Sequence, residues 1–99
     1  MIVQLITYET GNASLDEFKK GLAEIQQIYI NNGCASYEVY QDQGKPGCFI
    51  EIAYFETKEI AERFEKLDSP GKREAFNKFC EAGKVISQTV KVITGERCV

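Results

Sequence analysis

The chain has 99 residues, 43% of them apolar and 27% charged, which suffices for one folded core and leaves no room for a second. Fifteen acidic against twelve basic residues give a net charge of −3, with the signs interspersed and no basic stripe to neutralise phosphates, so nucleic acid is not expected as a partner. No apolar run approaches a membrane span, and "MIVQLITYETG" lacks the basic and long apolar regions of a signal peptide. A cytoplasmic protein without membrane contact is the expectation.

Residues 2 to 8, "IVQLITY", are β-branched and aromatic and stop at Gly11, the pattern of a first strand. A helix follows. Ser14 and Glu17 stand at capping-box spacing, and Leu15, Phe18, Leu22, Ile25 and Tyr29 recur at threes and fours as one apolar stripe. Asn31, Asn32 and Gly33 supply its C-terminal stop. Next, "CASYEVYQ" and "CFIEIAYF" flank "DQGKPG", which predicts an antiparallel hairpin. Thr57 can cap a helix carrying Ile60, Ala61, Phe64 and Leu67, and Ser69 with Pro70 restarts a second one carrying Ala75, Phe76, Phe79 and Cys80, closed at Gly83. "VISQTVKVIT" is the fourth strand.

The order is βαββαβ with its second helix broken. This predicts a single α+β, ferredoxin-like domain over residues 1–99, a four-stranded antiparallel sheet whose right-handed crossovers put the helices on one face. Both parities of the strands are apolar: Val3 and Leu5 alternate with Ile2 and Ile6, and Ile50 and Ile52 alternate with Phe49 and Phe55. The face without helices therefore needs a second surface, and a homodimer packed sheet to sheet is expected. Cys34, Cys48, Cys80 and Cys98 lack zinc-like spacing and there is no His, so no metal site is expected, and the thiols read as reduced apolar fillers.

The length, the element order and the run "NNGCASYEVYQDQGKPGCFIEIAYFETKEIAERFEKLDSPGKREAF" resemble the antibiotic biosynthesis monooxygenase family of dimeric α/β-barrel proteins. Phe55, Glu56, Thr57, Ala61, Ser69, Pro70 and Phe76 fit the family outline of an aromatic strand end, a capped helix and Ser-Pro before the next helix. The resemblance implies a homodimer with a pocket in each subunit between sheet and helices. Some members oxygenate phenolic, anthrone or quinol-like substrates with O2 and no metal or flavin, the substrate carbanion itself reducing oxygen; others cleave haem. The chain departs from this pattern in having no His and no Trp. The helix position near Phe64 is apolar, His-mediated proton transfer is ruled out, and haem cleavage, which uses a helix His on the iron, is not expected.

What the resemblance implies is thus a cofactor-independent monooxygenase acting on a small aromatic, phenolic or quinol-like metabolite. A non-catalytic dimeric binding module and a proton-transfer isomerase using the same cleft are the alternatives. Some cofactor-free members carry a pocket Asn four residues before the strand-end aromatic, so the resemblance puts Glu51 in the pocket, on the strand face it shares with Phe55. Burial there would raise its pKa and suit it to act as a general base, whereas a bland Glu51 would pair with Lys, Arg or Tyr at the sheet edge or dimer contact. Tyr37 and Tyr40 face opposite ways. Tyr37 is the candidate phenol to steady a substrate oxyanion, with packing as its other use. Phe55 and Phe64 would keep the pocket dry. Arg73, near the free amides after Ser69 and Pro70, either draws an anionic substrate group to the mouth or pairs with a nearby acid. Gln4 and Gln88 either line the pocket or pair with each other.

Overall fold

The computed structural model describes residues 1–10, 15–83, 85–96 and 98. Seven elements follow in order: β1 (Ile2–Thr10), α1 (Leu15–Asn31), β2 (Ser36–Gln41), β3 (Cys48–Phe55), α2 (Lys58–Glu65), α3 (Pro70–Gly83) and β4 (Val85–Thr94). The strands form one antiparallel sheet in the order β2-β3-β1-β4. This is the ferredoxin-like α+β fold. Gly11 and Ser14 lie outside the described residues, and so does the capping box expected at Ser14.

Local chemistry explains where the helices begin and end. Gly33 adopts φ 97°, and the amides of Cys34 and Gly33 donate to Tyr29 O at 3.0 Å and Ile30 O at 3.4 Å, a Schellman closure that satisfies two of the orphan carbonyls of α1. Thr57 Oγ1 accepts from Ile60 N at 3.2 Å to start α2, and Ser69 Oγ accepts from Lys72 N at 3.1 Å to start α3. The side chain of Asn32 adds a bond to Ile28 O at 2.8 Å.

Strand pairing sorts the side chains onto two faces. Ile2, Gln4, Ile6 and Tyr8 of β1 stand opposite Phe55, Ala53, Glu51 and Phe49 of β3, all on the helix side. Phe18, Ile25 and Tyr29 from α1, Phe64 from α2 and Phe79 from α3 complete the buried core. Each large side chain withdrawn from water in this way contributes about 1.5–3 kcal/mol. The opposite face carries Val3, Leu5, Ile50 and Ile52 with no helix over it, and Ile50 is 44% exposed.

The cysteines behave less uniformly than their spacing suggests. Cys34 is buried, its thiol donating to Ser36 O at 3.1 Å and Tyr54 O at 3.3 Å, while Cys80 and Cys98 are exposed and fill no core. All four are unbridged.

Candidate functional site

The space between helices and sheet has a filled half and an open half. In the filled half Tyr8 stacks on Phe49 at 6.0 Å and meets Phe18 and Phe79 edge-on, and Phe18 lies tilted 4.8 Å from both Phe49 and Phe79. In the open half the helix layer stops short of the edge strand β4. Val90 and Val92, opposite Ile6 and Gln4 on the helix side, are consequently 52% and 60% exposed. A cleft of about 450 Å³ results, walled by the sheet residues Ile2, Gln4, Ile6, Phe55, Gln88 and Val92 and by Phe64, Lys72 and Phe76 of the helices. Clefts of about 300–1,000 Å³ suit small organic ligands.

Glu51 sits between the two halves. Its position on β3 falls between Phe49 of the filled cluster and Phe55 of the cleft, and it is 4% exposed. The phenols of Tyr8 (β1), Tyr29 (α1) and Tyr37 (β2) converge on it. Burial raises the Glu51 pKa, and hydrogen bonding from Tyr37, Tyr8 and Tyr29 offsets part of that rise. The same burial, with the carboxylate charge beside them, pushes the three phenols well above the ordinary tyrosine range. The phenols approach without closing a network: Glu51 Oε1, Tyr8 OH and Tyr37 OH have no partner in full hydrogen-bonding geometry.

Glu51 and Tyr37 are not among the cleft-lining residues. Of the three phenols around Glu51, Tyr29 is the one that also lines the cleft. Its ring lies in a column, 4.5 Å from Tyr37 behind it and 4.3 Å from Phe64 in front, and the Lys72 ammonium covers the outer face of Phe64 at 4.5 Å. Tyr29, itself 2% exposed, therefore stands between the buried carboxyl and the open space.

The other expected site residues divide. Gln4, Gln88, Phe55 and Phe64 all line the cleft. Gln88 stands opposite Tyr8, four residues along β1 from Gln4, which separates the two amides by about 13 Å of strand and excludes their pairing with each other. Gln4 Oε1 is buried without a hydrogen-bond partner. Arg73 lies outside the cleft, 66% exposed, with its Nε 3.1 Å from Asp68 Oδ1. Its neighbour Lys72 takes the place expected of it: successive helical residues are about 100° apart, so only one of the pair can face inward. Sequence reading missed Tyr29 and Tyr8 as partners of Glu51. A phenol at the end of an apolar helical stripe, and another in phase with Ile2 and Ile6, were the available signals, because a buried tyrosine hydroxyl needs a partner.

Residues 1–82 match the sequence model of the antibiotic biosynthesis monooxygenase family. The chain belongs to that family. No curated protein matches the sequence. Among solved structures it is similar to a protein from Deinococcus radiodurans assigned as an antibiotic biosynthesis monooxygenase, with TM-score 0.77, 19% identity, and 100% of this chain and 96% of that one covered. It is also similar to SnoaB, a cofactor-independent oxygenase from Streptomyces nogalater, with TM-score 0.78, 13% identity, and 99% and 96% covered. At these identities the likeness establishes the fold that antibiotic biosynthesis monooxygenases share, and leaves the chemistry to the residues in the cleft.

Proposed function

We propose that this member of the antibiotic biosynthesis monooxygenase family is a cofactor-independent oxygenase of a small aromatic, phenolic or quinol-like metabolite. The observation that carries the reading is the placing of Tyr29 between an aromatic-walled cleft and a buried carboxyl of raised pKa. A substrate with an acidic C–H beside an aromatic ring loses that proton to the Tyr29 oxygen as Tyr29 passes its own to Glu51. The carbanion then reduces O2 and forms a C–O bond. The stored proton returns to the peroxide, and loss of water leaves a carbonyl, so that CH2 and O2 become C=O and H2O. Phe55 and Phe64 exclude water from the carbanion, Gln4 steadies the developing oxyanion through its amide, and Tyr37 and Tyr8 hold the Glu51 charge from behind.

Two copies packed through their helix-free sheet faces are part of the proposal, each with its own cleft. A cytoplasmic setting suits the four unbridged thiols. Among the described residues, no helix is long and apolar enough to cross a membrane.

Oxygen consumption over a panel of anthrones, phenols and quinols tests the reaction. One O2 is expected per product, with Glu51→Gln lowering kcat by about 10²–10⁴ at little change in KM. In the native protein kcat should rise with pH through the raised Glu51 pKa rather than near 4.5, and this limb should vanish in the variant. The position of Glu51 behind the cleft wall favours a second reading, a binding module without chemistry. Saturable binding with no oxygen uptake decides for it, and product formed without oxygen uptake decides for an isomerase.

A further inference from the structure

Lys72 is a cleft cation with no part in the proposed proton transfer. Its Nζ donates to Phe64 O at 2.8 Å and lies over the Phe64 ring at 4.5 Å and near the Phe76 ring at 6.0 Å. One of its three N–H donors is thereby engaged and two are left over. Among the described residues it has no carboxylate within 4.0 Å. Of the other charges around the cleft, Lys58 pairs with Glu62 at 3.7 Å, Arg73 pairs with Asp68, and Glu65, which lines the cleft, acts with Asp68 on Lys72 only through space. An ammonium seated on two aromatic faces, with two free donors and a partly apolar cleft before it, is placed to meet an oxygen anion carried on a ring.

On the sheet side of the same cleft, Gln4 presents a buried amide oxygen with no partner. A hydroxyl entering the cleft would satisfy it. We infer that the cleft selects aromatic anions that also carry a hydroxyl, a hydroxyaryl carboxylate being the simplest form, with the carboxylate on Lys72, the ring against Phe64 and Phe76, and the hydroxyl donated to Gln4. The inference rests on the cleft being the substrate site, and it concerns recognition, so it stands or falls apart from oxygen chemistry.

Calorimetric titration at pH 7 with 6-hydroxy-2-naphthoate and its neutral counterpart 2-naphthol tests it on the full chain. The acid is expected to bind at least about tenfold more tightly, a preference that declines with added KCl while 2-naphthol binding stays constant. Lys72→Gln should reduce the acid to the level of 2-naphthol and leave 2-naphthol unchanged, Lys72→Arg should keep the preference, and Gln4→Leu should weaken both probes by a similar factor. Equal binding of the two probes by the native protein, a salt-independent preference, equal weakening of both by Lys72→Gln, or binding of neither would overturn the inference. The salt comparison needs no variant. Selective binding of the acid by a protein that consumes no oxygen upholds the anion site and removes the oxygenase reading alone.

Discussion

Burial raises the Glu51 pKa above its ordinary value of 4.5, so the native state holds that proton more tightly than the unfolded chain does. The stability contribution of the group is therefore complete below 4.5 and is lost as pH climbs through the folded pKa, the unfolded chain having already released its proton. Above that value Glu51 is a standing cost, because an ionised carboxylate with an unpartnered Oε1 is kept out of water. Glu51→Gln removes the charge and retains an acceptor for the phenols. Its melting temperature should exceed the native one at pH 7, by about 4–8 °C for each kcal/mol relieved in a domain of this size, and the two should converge below pH 4.5. An equal offset at all pH values, measured by calorimetry, would show that packing and not ionisation sets the difference. The gain in stability would accompany the loss of activity expected above, as befits a charge kept for chemistry.

The elements were legible in the sequence because their start and stop signals are local. Thr57 and Ser69 cap their helices, strand alternation sets the faces, and Gly33 ends α1. What brings Tyr8, Tyr29 and Tyr37 to Glu51 was not legible, since the four lie on four different elements: strand register puts Tyr8 and Tyr37 on the face of Glu51, and Tyr29 reaches it only once α1 has docked. The choice between Lys72 and Arg73 was equally hidden, because the rotation of α3 about its axis follows from packing against α1 rather than from the sequence of its first turn. Gly33 holds a further, non-local role: a Cβ there would come within 2.8 Å of Ile60 Cγ2 on α2, in addition to the strain of φ 97°. Gly33→Ala should cost about 1–3 kcal/mol, read as a lower urea midpoint at unchanged slope. Gly71, inside α3 with open space around its Cβ direction, provides the contrast. Gly71→Ala should gain about 0.4–1 kcal/mol, and a loss of the same size at both positions would mean that backbone conformation is not what distinguishes them.

For the molecule as a whole the two sheet faces have opposite fates. Exposed apolar residues on the helix side, Val90 and Val92, border a cleft that a ligand can fill, whereas Ile50, Ile52, Val3 and Leu5 form an apolar surface with no helix over it, bordered at Ile50 by a pocket that Asp42 and Lys45 of the turn between β2 and β3 also line. An antiparallel sheet rests stably with one face in water when that face is largely polar; this apolar one favours a second surface, and in the proposed dimer a sheet of the same kind supplies it by symmetry. Light scattering behind size exclusion should therefore give twice the mass of the chain at micromolar concentration. Ile50→Glu places a charge where the single chain leaves the side chain 44% exposed, so the fold should be retained while association is lost, because in the dimer the carboxylate would be buried without a partner. Val90→Glu, at a position 52% exposed on the other face, should leave the dimer intact and weaken ligand binding in the cleft. A native protein that elutes as a monomer, or a Val90→Glu variant that dissociates while Ile50→Glu does not, would reverse the assignment of the two faces.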